Sequence, residues 1–256
     1  MRCTRNGREE CRELRSGPLP ANLSKSPDRI AGMFDAIAGR YDLLNHLLSA
    51  GIDRVWRRRA IRALALSGSE RLLDLCTGTA DVAIEARTAV PAAARVVGVD
   101  FARAMLKVGR KKVQQNRFDD TISLVCGDAT SLPVATASVD AVTIAFGIRN
   151  VERPEAACDE IHRVLRPGGR LAVLEFAIPR SPLVRSAYLT YFRLVLPRIG
   201  RLLSRHSAAY DYLPASVGAF ATPDEFEKIL KNHQFVQVRA DPLTLGIVFL
   251  YTARKR

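Results

Sequence analysis

The sequence lacks most of the features that would tie it to a metal, an oxidising compartment or the interior of a membrane. Its five cysteines are an odd number and no two are spaced as CxxC, which argues against a disulfide framework and against a zinc site. No run reaches the length of about 18 apolar residues that a membrane span requires. The N-terminal stretch is polar and rich in arginine, without the apolar centre of a signal peptide. We therefore expect a reduced cytoplasmic protein that holds no metal.

Acidic residues are in the minority. The 256 residues include 39 Lys and Arg against 26 Asp and Glu, a formal charge of +13. Such a balance suits a nucleic acid, an anionic membrane surface or an acidic substrate. The charge is spread along the chain rather than massed in one block, so it is equally typical of a soluble domain.

The order of apolar runs predicts one α/β domain. Residues 1–27 are polar and are predicted to form a disordered tail. Residues 28–256 form the predicted domain, and the helical spacing of apolar residues in 28–68 predicts a helical cap at its start. From residue 70, short apolar runs alternate with helical stretches, which predicts a doubly wound, mostly parallel sheet. Two closely connected runs near the end predict an antiparallel edge and bring the sheet to seven strands.

A helical insertion at 179–215 interrupts the alternation. Its apolar residues recur at helical spacing with arginines between them, and Pro197 breaks or kinks the helix. Core-packing helices carry the same stripe, so packing on the domain is the favoured interpretation. Residues 183–205 are also basic and amphipathic enough to lie on an anionic membrane.

Three acids follow the first three predicted strands. In an open parallel sheet, ligands bind outside the carboxyl ends of the strands, where Asp74, Asp100 and Asp128 stand. An acid after the second strand can accept both hydroxyls of a ribose, and Asp128 with the backbone N–H of Ala129 can bind the edge of an adenine. The competing interpretation is that each acid only caps a helix or ties down loop amides.

The turn after the first strand argues against a dinucleotide. It contains one glycine, Gly78, where dinucleotide-binding turns carry GxGxxG, and Asp81 stands where a phosphate needs positive potential. S-adenosylmethionine has no phosphate and its cationic parts suit carboxylates, so its polar tail is the predicted occupant beside Thr79 and Gly78. Because a Cβ disfavours positive φ, we expect an ordinary φ at Ala80.

Several stretches together resemble the class I S-adenosylmethionine-dependent methyltransferases, and more narrowly the family that C-methylates the quinol ring in ubiquinone and menaquinone biosynthesis. They extend over about residues 28–254 and include FDAIAGRYDLLNHLLSAGIDRVWRR, LDLCTGTADVA, FGIRNVERPEAACDEIHRVLRPGGRLAVLEF and YDYLPASV. The resemblance implies cofactor contacts at Thr79, Asp100, Asp128 and Ala129. Ala145 departs from it, since relatives often have Ser there.

The resemblance also implies the substrate and the residues that hold it. The substrate is a prenylated quinol, chiefly demethylmenaquinol, with 2-methoxy-6-polyprenyl-1,4-benzoquinol as the alternative. A quinol carbon becomes nucleophilic when a ring hydroxyl loses its proton, and a cation near that oxygen favours the phenolate. Arg149 of FGIRN is the candidate cation, Asn150 is expected to orient it or the ring, and Tyr41 and Asn45 are expected to close over the ring.

Other assignments are less favoured. His46 and His206 are candidate bases but rank below Arg149, because a lone histidine is more often structural. No nucleic acid is expected as substrate, because neither [DN]PP[YF] after the fourth strand nor a Pro-Cys nucleophile is present. A non-catalytic module that retains the cofactor fold is disfavoured by the intact set of acids. A second copy of the chain is a candidate partner, and the inner face of the membrane a candidate location.

Overall fold

The computed structural model describes residues 25–90, 95–191, 194 and 208–256. Most of the predicted tail, His206, and residues 192–193 and 195–205 of the predicted membrane-contacting segment lie outside this range.

The described chain begins with helices and continues as an α/β sheet. The helices are α1 (Pro27–Ile37), α2 (Tyr41–Leu48), α3 (Asp53–Ala63), α4 (Asp81–Ala89), α5 (Arg103–Gln115), α6 (Pro154–Val164), α7 (Pro182–Thr190), α8 (Ala208–Ala219) and α9 (Pro223–Asn232). The strands are β1 (Arg71–Leu75), β2 (Arg95–Asp100), β3 (Ile122–Cys126), β4 (Val139–Ala145), β5 (Leu165–Phe176), β6 (Phe235–Leu243) and β7 (Val248–Lys255). None of the helices within the described ranges is both long enough and apolar enough to span a membrane.

The seven strands form one sheet in the order β3-β2-β1-β4-β5-β7-β6. The first five are parallel, and β7 lies antiparallel between β5 and β6. This confirms the doubly wound sheet with an antiparallel edge. The chain moves outward from β1 to β3 and then returns to β4, so the switch in strand order lies between β1 and β4. Ligands of such sheets bind at that point, outside the carboxyl ends of the strands.

Each face of the sheet has its own apolar core because alternate residues of a strand point to opposite faces. Leu73 and Leu75 of β1 face one side, where buried residues of α6 and α9 cover the sheet. Leu72 faces the other side, where α3 and α4 pack. Asp74 shares that face with Leu72, which places a carboxyl group under the helices rather than at the open edge.

One boundary differs from the sequence pattern. Pro167-Gly168-Gly169 reads as a turn between a helix and a strand, but α6 ends at Val164 and β5 begins at Leu165. Leu165 pairs with Val139, whereas Arg170 pairs with Ala141, so the pairing shifts along this segment. The Pro-Gly-Gly segment is therefore an irregularity within β5, where Gly168 takes a φ of 75°.

Candidate active site

A cavity of about 620 Å³ lies beside the switch point of the sheet. Its mostly apolar wall comes from the three N-terminal helices, the loops after β1 and β4, helices α7 and α8, and the connection between β6 and β7. The cavity brings together four predicted site residues, Tyr41, Gly78, Thr79 and Arg149. Asn45 also lines it, as expected, whereas His46 does not.

The loop after β1 is held in a backbone conformation that favours glycine. Cys76, Gly78 and Ala80 have φ values of 57°, 54° and 66°. The expectation of an ordinary φ at Ala80 is therefore wrong. The Ala80 N–H donates to the Thr77 carbonyl over 2.8 Å, and the Ala80 carbonyl accepts from the N–H of Ile84 in α4. These bonds close the turn onto the helix, and they outweigh a cost of about 1–2 kcal/mol for a left-handed alanine.

Asp100, at the end of β2, ties two loops together. Its carboxylate oxygens accept from the Gly78 N–H and from the Ala102 N–H, each over 2.8 Å. Burial raises the pKa of Asp100, while these backbone hydrogen bonds oppose the rise. A carboxylate offers about four acceptor positions, so Asp100 keeps acceptor capacity for a ribose hydroxyl beyond its bonds to the backbone. Asp100 does not line the cavity but stands behind Gly78, which does.

Asp128 and Ala129 lie further along the same edge. Cys126 pairs with Asp100 in the sheet, which puts Asp128 two residues beyond that acid. The carboxylate of Asp128 is exposed and accepts from the backbone and hydroxyl of Thr130 over 2.8 and 3.0 Å. Ala129 is buried. Neither Asp128 nor Ala129 lines the cavity. A ligand that contacts Asp100, Asp128 and Ala129 therefore extends from the cavity at Gly78 past Asp100.

Asp74 is a support beneath the loop rather than part of the cavity wall. One oxygen accepts from the Thr77 hydroxyl over 2.5 Å, and the other has no hydrogen-bond partner among the described residues. Burial raises the pKa of Asp74 to about 7, with the nearby charge of Asp100 adding to the rise.

A charged cluster that the sequence analysis missed borders the same loop. Asp81 pairs with Arg57 of α3 and with Lys112 of α5, and Arg57 also pairs with Asp53. Burial opposes ionisation of Asp81, but these two cations lower its pKa below the ordinary value. Lys112 further binds Asp42 over 2.7 Å. The sequence analysis took Asp81 as a sign of missing positive potential, and the two cations that pair with it are themselves shared with Asp53 and Asp42.

Thr79 joins this cluster from the loop. Its hydroxyl donates to Asp42 of α2 over 2.5 Å and accepts from Lys112 at 3.3 Å. The N-terminal helices are thereby fastened to the turn that is predicted to hold the methyl donor.

Arg149 lies in a short 3₁₀ helix after β4 (Ile148–Asn150) and is buried in the cavity wall. Its Nη1 is 2.7 Å from Oε1 of Glu175, a fully buried carboxylate near the end of β5. Its Nε is 3.4 Å from the Ser216 hydroxyl of α8, and its guanidinium carbon lies 5.6 Å from the centre of the Phe176 ring. Burial disfavours the guanidinium charge, but Glu175 outweighs burial and raises the pKa of Arg149. Glu175 was not among the sequence-predicted site residues, because its position in the apolar run LEF carries no separate signal.

Asn150 is buried next to Arg149 in the same short helix. Its Nδ2 is 3.5 Å from the Phe146 carbonyl, its Oδ1 has no partner within the described residues, and it does not line the cavity. Nη1 of Arg149 donates to the same Phe146 carbonyl, and the role of Asn150 in orienting Arg149 or the ring stays a prediction.

Aromatic side chains form much of the remaining wall. Tyr41 packs edge-on against Phe34 with 5.9 Å between ring centres, and burial raises the pKa of its hydroxyl. Trp56, Phe146 and Phe176 form a second group, in which the two phenylalanine rings are 4.6 Å apart. The cavity thus combines a mostly apolar, aromatic wall with two buried guanidinium groups, those of Arg57 and Arg149.

The residues present fit S-adenosylmethionine. Asp100 keeps acceptor capacity beside the loop, and the acids around the loop suit the cationic parts of the cofactor. In the described part of the chain, no group of three or more His, Cys, Asp or Glu side chains could hold a metal ion.

Comparison with known proteins identifies the family of the chain. The model of the ubiE/COQ5 methyltransferase family matches residues 23–255. The chain belongs to this family. It is 45% identical over 233 residues to the ubiquinone/menaquinone biosynthesis C-methyltransferase UbiE of Geobacter sp. (strain M21), covering 91% of this chain and 99% of that protein. It is 42% identical over 239 residues to the demethylmenaquinone methyltransferase of Clavibacter sepedonicus, covering 93% and 94%.

Among solved structures, an S-adenosylmethionine-dependent methyltransferase from Aquifex aeolicus has the same fold. The TM-score is 0.58 at 15% identity, over 78% of this chain and 89% of that one. As a member of the ubiE/COQ5 family, the protein is an S-adenosylmethionine-dependent C-methyltransferase.

Proposed function

We propose that the protein methylates a ring carbon of a prenylated hydroquinone, and that demethylmenaquinol is its substrate. The observation that carries this proposal is a buried guanidinium, Arg149, next to Phe176 in the wall of a mostly apolar and aromatic cavity. Relatives named as demethylmenaquinone methyltransferases match more than nine-tenths of the chain, which supports the naphthoquinol ring. The methoxy-polyprenyl-benzoquinol is the second candidate, because other relatives carry ubiquinone in their names.

The cavity residues have separate tasks in this proposal. Bound S-adenosylmethionine supplies an electrophilic methyl group. Arg149 holds the ring oxygen as a phenolate, and a cation acts strongly there because the surrounding wall excludes water. Tyr41 and the aromatic residues fix the plane of the ring, and Glu175 fixes the guanidinium. Thr79, Asp100, Asp128 and Ala129 hold the methyl donor, with Gly78 letting it approach the backbone and Asp74 supporting the loop from below.

Turnover tests the proposal directly. The protein is incubated with methyl-labelled S-adenosylmethionine and, in separate vials, with reduced demethylmenaquinone and reduced methoxy-polyprenyl-benzoquinone. We expect label in the naphthoquinol. Label in both quinols indicates an enzyme that serves two pathways. No label in either, with cofactor binding shown by calorimetry, contradicts the proposed substrate and leaves the cofactor assignment intact.

We further propose that the cavity opens toward an anionic membrane, the source of a prenylated substrate. Three cavity-lining residues are exposed apolar side chains: Ile52 is 40% exposed, Leu183 is 81% exposed and Leu245 is 76% exposed. Leu183 begins the predicted membrane-contacting segment 183–205. The net charge of +13 favours an anionic surface, which would place the protein at the inner face of the membrane.

A further inference from the structure

Tyr212 of α8 lines the cavity and has a buried hydroxyl without a hydrogen-bond partner among the described residues. The residue is 7% exposed and lines the cavity wall. Its hydroxyl makes no hydrogen bond within the described part of the chain. A buried hydroxyl without a partner costs about 1–3 kcal/mol. Folding accepts such a cost chiefly where a partner arrives later, as a ligand does.

The position of Tyr212 connects it to Arg149. Ser216 follows Tyr212 by four residues on the same helix, so the two side chains lie on one face about 5–6 Å apart. The Ser216 hydroxyl is 3.4 Å from Nε of Arg149. The Tyr212 ring is held by packing against Ile30 and Phe34 of α1. The Tyr212 phenol therefore lies one helical turn away from Ser216, the residue of α8 that contacts the Arg149 guanidinium.

We propose that the Tyr212 hydroxyl donates a hydrogen bond to a ring oxygen of the quinol and thereby selects substrates that carry an oxygen at that position. This inference rests on the proposed function. A hydroquinone has two oxygens across the ring, and Arg149 with Tyr212 offers one cation and one neutral donor. A neutral donor suits the oxygen that keeps its proton or accepts a hydrogen bond, while the cation suits the phenolate. A site built on a polar contact rejects analogues that lack the matching group.

The test compares Tyr212→Phe with the wild type. This change removes one oxygen and keeps the ring that packs on α1. We expect kcat/KM for demethylmenaquinol to fall roughly 10- to 100-fold, the range for a lost hydrogen bond to a reacting oxygen. The affinity for S-adenosylmethionine and the melting temperature stay unchanged, because the hydroxyl has no partner within the described structure to lose. Tyr251→Phe is the matched control. Tyr251 is a buried tyrosine of β7 that does not line the cavity, and we expect removal of its hydroxyl to leave kcat/KM unchanged.

Substrate analogues identify the contact. Two prenylated naphthols, each lacking one of the two ring hydroxyls, are assayed with both proteins. If Tyr212 binds one oxygen, the ratio of wild-type to Tyr212→Phe activity returns to about one with the analogue that lacks it. A ratio unchanged for both analogues contradicts the contact.

A binding arm separates this inference from the proposed reaction. Binding of 1,4-naphthohydroquinone to both proteins is measured without oxygen. If the wild type methylates demethylmenaquinol and Tyr212→Phe does so equally well, the inference is overturned and the function stands. If the wild type binds naphthohydroquinone without methylating a quinol, and Tyr212→Phe binds it more weakly, the contact stands and the reaction is overturned. If the wild type neither methylates nor binds, both are overturned.

Discussion

At the scale of single residues, the Arg149–Glu175 ion pair is the most consequential feature of the site. Both side chains are almost fully buried, and 2.7 Å separates the guanidinium Nη1 from the carboxylate. A buried pair contributes little net stability compared with apolar residues, but removing one partner leaves a buried charge alone. Glu175 is therefore expected to be as necessary for folding as Arg149 is for chemistry.

A double-mutant cycle tests this coupling. We expect Glu175→Gln and Arg149→Met each to lower the free energy of unfolding by about 3 kcal/mol or more. The double variant is expected to cost clearly less than the sum, because it leaves no unpaired charge. Urea unfolding of the four proteins measures all of these values. Additive costs would contradict the coupling.

The buried Asp74 predicts a pH dependence of stability. Its pKa rises from 3.8 to about 7 in the folded state. Between those values the folded protein holds a proton that the unfolded chain has lost, so this contribution to stability falls as the pH rises toward 7. The loss between pH 5 and pH 8 amounts to at most about 3 kcal/mol.

Asp74→Asn is expected to remove this part of the pH dependence. The measurement is urea unfolding of both proteins at pH 5 and pH 8, with other titrating groups common to the two. The gain in unfolding free energy from pH 8 to pH 5 should be larger in the wild type than in Asp74→Asn. Equal differences in both proteins would show that Asp74 titrates normally.

The sequence predicts some of these residues and not others for a physical reason. Thr79 and Asp100 follow from the rule that ligands meet parallel strands at their carboxyl ends. That rule does not say which way a side chain points, and neither Asp74 nor Asn150 is among the residues that line the cavity. The partners of Asp81 come from α3 and α5, far away along the chain, and no local pattern reports them.

At the scale of elements, the loops after β1 and β4 touch at one glycine. A Cβ placed on Gly147 would stand 2.3 Å from the Cβ of Cys76, closer than real atoms approach. These two loops carry Gly78 and Arg149, so their spacing sets the distance between the predicted donor site and the guanidinium.

Gly147→Ala is expected to force the two loops apart. We expect the unfolding free energy to fall by about 1–3 kcal/mol and methyl transfer to fall as well. Adding Cys76→Gly removes the facing side chain and should restore stability. Gly218→Ala is the control: nothing lies within 4 Å of its added Cβ, and an alanine in helix α8 leaves stability unchanged or raises it by up to about 1 kcal/mol. A stable Gly147→Ala protein with normal turnover would contradict this account.

The elements themselves were the most predictable part of the protein. Five apolar runs in alternation with helices predict the parallel strands, because a strand buried on both faces must be apolar throughout. The Pro-Gly-Gly segment was less predictable, since its place within β5 depends on the shifted pairing with β4 rather than on local turn chemistry. The left-handed φ of Ala80 likewise depends on the closed turn around it and not on the alanine's own preference.

At the scale of the whole molecule, exposed apolar side chains from separate parts of the chain line one cavity. Leu183 lies in the first turn of α7 and Leu245 lies in the connection between β6 and β7, yet both line the same cavity. Leu245 has a φ of 57°, a strained position for an exposed leucine. Two elements distant in sequence thus bring apolar side chains to one opening, which suits entry of a prenylated substrate from a lipid surface.

Co-sedimentation with anionic vesicles at low salt tests this arrangement. The wild type is expected to bind, and Leu183→Glu and Leu245→Glu are each expected to weaken the vesicle partition constant about tenfold or more, because a buried leucine contributes about 1.5–3 kcal/mol. Leu43→Glu is the matched control, since Leu43 is 60% exposed but does not line the cavity. It carries the same change in charge, so it separates insertion at the rim from general electrostatic repulsion. Equal weakening by all three variants, or a wild type that does not sediment, would mean that the cavity does not open onto a membrane.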